Sequence, residues 1–192
     1  MTPAAAERAV IFHGFRATPD DHWFAWLAAR LAEHGVPTTV PALPDPLAPD
    51  PASWERGVAA ALGMPGAGTS VVAHSLGCLA VLRHLRGLHP SWRLGTLVLV
   101  AGFVDPLPVL PELGGFIGSG CDTSGIAAHV DRVLVLRSDD DPIVPPGLTD
   151  RLAAQLGVGA HVVPGAGHFL ASDGATKLPQ VLDALVGAGP PV

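Results

Sequence analysis

One serine stands where a strand is expected to turn directly into a helix. Ser75 follows a valine-rich run at residues 70–74 and precedes an Ala/Leu-rich helical segment at 76–88. Ala73 and Gly77 flank it at a distance of two residues, and small side chains there are typical of a nucleophile elbow with a strained serine backbone. Alanine at 73 departs from the usual glycine. The pattern predicts that Ser75 is a nucleophile.

A serine hydroxyl is a weak nucleophile near neutral pH, so it needs a general base and a group that orients this base. Both residue types occur downstream, each just past an expected strand. Asp141 follows residues 132–137, and His168 follows a glycine-rich turn after residues 161–163. The order serine, acid, histidine occurs in proteins with a nucleophile elbow. We therefore predict that Ser75, Asp141 and His168 form a catalytic triad.

Three adjacent aspartates leave the choice of acid open. Asp141 is favoured because the Pro-Ile-Val-Pro that follows it would hold its carboxylate at the apex of the loop. Asp140 is the alternative, and Asp139 is expected to be a solvated turn or helix-cap residue. His168 is one of nine histidines, and a structural role is the alternative to catalysis by it.

Acyl chemistry also needs two hydrogen-bond donors for an oxyanion. One is expected to be the backbone N–H of Leu76, because amides at the start of a helix are unpaired and the helix dipole favours negative charge there. The other is expected from the loop after the first strand, as the backbone N–H of Phe15. Four further residues could edge the pocket, although each could equally support loop geometry or the core: His13, His22, Trp23 and His74.

Short apolar segments alternate with helical ones along the chain. Strands are expected at residues 9–12, 38–43, 70–74, 97–101, 132–137 and 161–163, and helices at 23–34, 51–62, 76–88, 147–156 and 178–186. Strands that are apolar throughout indicate a sheet covered on both faces. The expected fold is therefore α/β, a three-layer αβα sandwich around a mainly parallel sheet of about six strands. The Pro/Gly-rich segment 104–120 is expected to be a short lid, a binding wall or a solvated loop.

The composition mainly excludes classes of partner. The 192 residues, of which 48% are hydrophobic, predict a single domain with a sizeable core. The longest apolar stretches fall far short of the ~18 residues of a membrane span, and a secretory signal pattern is not seen, so a cytoplasmic protein without membrane insertion is expected. The net charge of −6, without a basic cluster, argues against nucleic acid. Two cysteines in no CxxC pair predict neither disulfides nor a metal site, and no cofactor is expected.

Taken together, motifs along nearly the whole chain resemble the small serine hydrolases of the YdeN and retinoblastoma-binding-protein type, within the α/β-hydrolase superfamily. The motifs lie at residues 13–17, 22–27, 44–46, 54, 73–78, 100–103, 140–145 and 167–169. The resemblance implies the triad Ser75, Asp141 and His168 by position. It also implies a minimal α/β-hydrolase fold without a large cap domain, and it is compatible with Ala73.

The expected activity is hydrolysis of a carboxylic ester or related acyl bond of a small molecule through an acyl-serine intermediate. An acyltransferase, a thioesterase or a peptidase would use the same groups, and the fold does not decide among them. A non-catalytic protein-interaction module is the alternative from another class, suggested by the retinoblastoma-binding name within the family. The natural substrate and the oligomeric state stay open.

Overall fold

Six parallel strands form one sheet in the computed structural model, which describes residues 6–187. The strands are β1 (Arg8–Phe12), β2 (Thr38–Thr39), β3 (Thr69–His74), β4 (Leu94–Val100), β5 (Val130–Arg137) and β6 (Ala160–Val162). Their order across the sheet is β2-β1-β3-β4-β5-β6, and every neighbouring pair is parallel. The predicted α/β sandwich is confirmed.

Helices cover both faces of this sheet. They are α1 (Phe24–Glu33), α2 (Pro51–Leu62), α3 (Leu76–Gly87), α4 (Gly114–Ile117), α5 (Pro146–Gln155) and α6 (Pro179–Val186). Residues of α2, α3 and α5 share one buried cluster, whereas residues of α1 and α6 share the other. None of the helices within residues 6–187 has both the length and the hydropathy of a membrane span.

Strand β1 shows why the central strands carry apolar side chains on both faces of the sheet. Val10 and Phe12 belong to the cluster with α2 and α3, whereas Ala9 and Ile11 belong to the cluster with α1 and α6. Successive side chains of a strand point to opposite faces, so a strand between two helical layers favours apolar residues at adjacent positions. This pattern of adjacent apolar residues is what predicts the central strands from the sequence.

The edge strand β2 is shorter than predicted. The expectation of a strand over residues 38–43 is wrong, because pairing with β1 ends at Thr39. Pro41 has no N–H to donate to a ladder, and the chain then turns inwards so that Leu43 is buried. Only two residues of this segment therefore pair with the sheet.

The segment 104–120 packs against the core. It contains a 3-10 turn at Pro111–Leu113 followed by α4. The Arg83 guanidinium of α3 donates to the carbonyls of Phe116, Ile117 and Gly120 at 2.5–3.2 Å. Apolar side chains of the segment are buried: Val104, Leu107, Leu113, Phe116 and Ile117. These contacts pack part of the segment against the core, whereas other residues such as Val109 are exposed, so its role as a lid or a binding wall stays a prediction.

Candidate active site

Three side chains from distant parts of the chain form a continuous hydrogen-bonded row. Nε2 of His168 lies 2.9 Å from Oγ of Ser75, and Nδ1 of His168 lies 2.8 Å from Oδ2 of Asp141. All three are nearly inaccessible, with 6% of Ser75, 4% of His168 and 3% of the Asp141 side chain exposed. Because a carboxylate only accepts, the neutral imidazole carries its proton on Nδ1. The lone pair of Nε2 is then free to accept the serine proton, as a general base requires.

Ser75 occupies a strained turn between β3 and α3. Its backbone has φ 53° and ψ −124°, and its N–H donates to the Val100 carbonyl at 2.9 Å. Such a conformation costs about 1–3 kcal/mol and persists only where the surroundings hold it. A Cβ on Gly77 would overlap the His13 carbonyl oxygen, so the start of α3 can approach β1 only with glycine there. The expected steric demand therefore applies strictly at Gly77, while Ala73 fits within β3.

The three aspartates that follow β5 accept hydrogen bonds from different partners. Asp141 binds the imidazole through Oδ2, and its Oδ1 accepts from the N–H groups of Ile143 and Val144 at 2.8 and 2.9 Å. Asp139 instead accepts from Gly165 N–H at 2.8 Å, and Asp140 accepts from the next part of the same loop. The structure thus brings Asp141, and not the alternative Asp140, to His168.

Asp140 holds the backbone of the loop that carries His168. Its Oδ1 accepts from Gly167 N–H at 2.9 Å and from the Ser138 hydroxyl at 2.5 Å. The Ser138 hydroxyl and the Gly167 N–H lower the pKa of this carboxyl. Asp173 supports the same loop, because its Oδ2 accepts from His168 N–H at 2.8 Å. Sequence reasoning missed these supports, since a carboxylate that accepts from a distant backbone amide leaves no local pattern.

His74 precedes Ser75 and is hydrogen-bonded to the loop that carries His168. Its Nε2–H donates to the His168 carbonyl at 2.9 Å, and the two rings lie 5.0 Å apart. Burial lowers the pKa of His74 well below its ordinary value, and the nearby His168, His22 and His13 act in the same direction. His74 is therefore a neutral donor that joins β3 to the His168 loop.

We expect acid to destabilise the protein partly through His74. Below about pH 6.5 the unfolded chain protonates this histidine while the folded protein keeps it neutral, so the free energy of unfolding falls by up to about 1.4 kcal/mol per pH unit. His74→Gln retains an amide donor for the His168 carbonyl but does not titrate. Urea unfolding at pH 7.5, 6.5 and 5.5 should therefore give a shallower pH dependence for this variant. An unchanged pH dependence would contradict a neutral, buried His74.

A cavity of about 270 Å³ opens above the triad. Four apolar side chains, three histidines, one arginine and Ser75 line it: Phe15, Leu110, Ile143, Leu170, His22, His74, His168, Arg16 and Ser75. Two of the predicted pocket residues, His22 and His74, thus line it. The apolar walls come from segments in which only the tertiary structure shows which side chains face the serine.

His22 lines the cavity and lies next to the loop that carries His168. Its Nδ1 accepts from Ala171 N–H at 3.0 Å, and burial lowers the pKa of its ring. The neutral ring therefore carries its proton on Nε2. This hydrogen bond joins the loop after β1 to the loop after β6, and these loops form two sides of the cavity.

His13 and Trp23, which were expected at the pocket, lie elsewhere. Nε2 of His13 accepts from Leu43 N–H at 2.9 Å, and its ring packs edge-on against Trp54 at 5.7 Å. The Trp23 ring is fully buried against Phe24 at a centroid distance of 4.7 Å. Both residues flank the loop after β1 in sequence, but their side chains face the two core clusters instead of the cavity. Their role is to support the loop.

The backbone N–H groups of Phe15 and Leu76 are the donors predicted for an oxyanion, and the segments that carry them reach Ser75. A Cβ on Gly14 would lie 2.9 Å from Ser75 Cβ and 3.5 Å from Ser75 Oγ, so the loop containing Phe15 touches the nucleophile. Leu76 is the first residue of α3. Within residues 6–187, neither the Phe15 nor the Leu76 N–H donates to a protein acceptor. Both N–H groups are therefore available to a ligand at Ser75.

A wholly parallel sheet between helical layers, with a serine at a strand-to-helix turn and an acid and a histidine after later strands, defines an α/β hydrolase. The family model of serine hydrolases matches residues 9–186. The chain therefore belongs to the serine hydrolase family, and it is a hydrolase.

The comparisons with individual proteins agree. A Bacillus subtilis protein named as the hydrolase YdeN is 38% identical over 175 residues, which cover 91% of this chain and 92% of YdeN. The crystal structure of the B. subtilis ydeN product has a TM-score of 0.89 at 37% identity and covers 94% of this chain and 97% of that one. Est1E from Butyrivibrio proteoclasticus shares the fold, with a TM-score of 0.64 at 16% identity over 95% of this chain and 86% of its own.

Proposed function

We propose that the protein hydrolyses carboxylic esters of small molecules through an acyl intermediate on Ser75. The observation that carries this proposal is the row of hydrogen bonds from Ser75 through His168 to Asp141, which ends at the floor of a cavity large enough for a small substrate. The geometry supports nucleophilic acyl transfer, because Nε2 of His168 faces the Ser75 hydroxyl while Nδ1 faces the Asp141 carboxylate.

In the first half of the reaction, Ser75 Oγ attacks the acyl carbon while His168 Nε2 takes the hydroxyl proton. The imidazolium that forms is stabilised by Asp141, whose Oδ2 lies 2.8 Å from Nδ1. The N–H groups of Phe15 and Leu76 bind the oxyanion of the tetrahedral intermediate, a contribution of about 3–4 kcal/mol per donor in comparable sites. As the intermediate collapses, Nε2 returns the proton to the leaving oxygen and an alcohol departs.

In the second half, water replaces the alcohol. Nε2 takes a proton from the water as its oxygen attacks the acyl-serine carbon, and the same proton then passes to Ser75 Oγ when the ester bond breaks. The products are the free carboxylic acid and the regenerated serine. The strained backbone at Ser75, with φ 53°, supports this role because it exposes Oγ to the cavity at the carboxyl end of β3.

The cavity walls support an apolar acyl substrate. Phe15, Leu110, Ile143 and Leu170 supply the apolar part of the lining, so carbon-rich groups gain from leaving water there. An oxygen ester asks less of the site than an amide does, because an alkoxide is a better leaving group than an amine anion when His168 delivers a single proton. A thioester or an amide would use the same groups, and these reactions are the competing outcomes of the test.

The test compares three acetyl compounds with matched phenyl leaving groups: an oxygen ester, a thioester and an anilide. We expect the purified protein to turn over the oxygen ester with the highest kcat/KM. Faster cleavage of the anilide would indicate a peptidase or amidase instead. Turnover of none of the three, in protein shown to be folded by circular dichroism, would favour a binding module and contradict the proposal.

A further inference from the structure

A second apolar groove lies beside the catalytic cavity. It has a volume of about 310 Å³ and is bordered by the loop that follows β2 and by the segment around α4. Its apolar lining is Phe15, Leu47, Ala48, Pro49, Leu113 and Phe116. Leu47 is 73% exposed, the highest value among the large hydrophobic side chains of residues 6–187. An apolar groove edged by such a residue offers burial to a carbon-rich ligand.

The groove and the catalytic cavity share their walls. Phe15, in the loop after β1 that we call the oxyanion loop (residues 13–17), lines both spaces. Two residues of the segment 104–120 also border these spaces: Leu110 borders the cavity and Leu113 borders the groove. Arg16 N–H also donates to the Pro46 carbonyl at 2.8 Å, which ties the oxyanion loop to the loop that forms the groove. The two spaces are therefore neighbouring parts of one surface.

An exposed ion pair crosses the boundary between the two spaces. Arg16 lies over the Phe15 ring at 4.7 Å, and its guanidinium is 3.6 Å from the Glu112 carboxylate. The two side chains are 62% and 49% exposed. A pair so open to water contributes little to stability, so a ligand can displace it at small cost. The boundary between the cavity and the groove is therefore polar and open to water.

The chemistry at Ser75 determines which part of a substrate faces the groove. His168 must give its proton to the leaving group, so the leaving group lies on the side of His168, His22 and Leu170. The acyl oxygen lies at the N–H groups of the oxyanion site. A long acyl chain must then extend past another wall of the cavity, and Phe15 is the lining residue that the cavity shares with the groove.

We propose that the groove binds the acyl chain, so that the enzyme prefers esters of medium-length unbranched acyl groups over acetyl esters. This proposal rests on the ester hydrolysis proposed above. The apolar floor is rigid: Phe116 is buried, its ring packs against Trp54 at 5.2 Å, and its carbonyl is held by Arg83 at 2.8 Å. Each methylene that leaves water for such a surface raises kcat/KM by roughly fourfold.

The experiment fills the groove without touching the catalytic groups. Ala48 is exposed and lines the groove, so Ala48→Trp places an indole where the chain would lie. Ala154→Trp, at an exposed position of α5, is the matched control. The assay compares p-nitrophenyl acetate with p-nitrophenyl octanoate below its micelle concentration. We expect Ala48→Trp to lower kcat/KM for the octanoate by about tenfold or more, with the acetate within about twofold of wild type.

The outcomes separate this proposal from the ester hydrolysis beneath it. If Ala48→Trp and Ala154→Trp hydrolyse both esters like the wild type, the groove does not bind the acyl chain, while ester hydrolysis stands. If the wild-type protein hydrolyses neither ester, both proposals fail. Ala48→Leu, a smaller change at the same position, should give a weaker loss on octanoate alone, and this graded effect distinguishes filling of the groove from damage to the fold.

Discussion

Replacing Ser75 with alanine should lower kcat/KM for p-nitrophenyl acetate by about 10⁴- to 10⁶-fold. The substitution removes only Oγ, the atom that lies 2.9 Å from His168 Nε2 and that must form the acyl bond. Alanine retains the Cβ, so the packing of Gly14 against this position is preserved. The loss should therefore appear in activity and not in the urea midpoint. The measurement is steady-state kinetics with enzyme freed of contaminating esterases.

The matched control for this loss is Ser91→Ala. Ser91 is an exposed serine whose hydroxyl hydrogen-bonds with the His89 ring at 3.1 Å, and it lies outside the cavity lining. We expect this variant to keep kcat/KM within about twofold of wild type, because an exposed substitution of this kind changes little. Retention of more than a tenth of the activity in Ser75→Ala would exclude Ser75 as the nucleophile.

Asp141→Asn should lower kcat by about 10⁴-fold while the fold is retained. The new amide can donate to His168 Nδ1, where the carboxylate accepts at 2.8 Å. The imidazole then carries its proton on Nε2 and has no lone pair for the Ser75 hydroxyl. The amide oxygen can still accept from Ile143 and Val144, so the loop keeps its local contacts. Stopped-flow or steady-state kinetics with p-nitrophenyl acetate measures the loss.

The neighbouring aspartates supply the control for this prediction. Asp139→Asn retains an oxygen that can accept from Gly165 N–H, and Asp139 is exposed, so its kcat should stay within about threefold of wild type. Asp140→Asn should have a smaller effect than Asp141→Asn, since Asp140 contacts only the Ser138 hydroxyl and backbone N–H groups. An equal or greater loss in Asp140→Asn would identify Asp140 as the acid and contradict this assignment.

The central elements of the fold could be predicted because one physical pattern specifies them. Strand β4 and the middle of β3, residues 71–73, are buried on both faces and rich in apolar side chains, and α3 follows directly after β3. The edge strand β2 lacks this pattern because it has one neighbour, and prolines end its pairing early. Helix α4 has only four residues and two glycines, so local propensity predicts no helix there.

Part of the candidate site could likewise be predicted from the sequence, and part could be seen only in the structure. The positions of Ser75, Asp141 and His168 follow from topology, because the carboxyl ends of parallel strands meet at one edge of the sheet. Their mutual hydrogen bonds and the division of work among the three aspartates needed coordinates, since Asp139 and Asp140 accept from amides 26 and 27 residues away. His13 and Trp23 show the limit most plainly: their nearness in sequence to the oxyanion loop did not indicate which face of the sheet their rings pack against.

The most direct measurement of the central claim is a peptide map of the protein quenched in acid during turnover of p-nitrophenyl acetate. We predict an acetyl group on the peptide containing Ser75, at that residue, appearing with the burst of p-nitrophenol and absent from Ser75→Ala. Steady hydrolysis with no acyl group on Ser75, or with the acyl group on another side chain, would contradict the account.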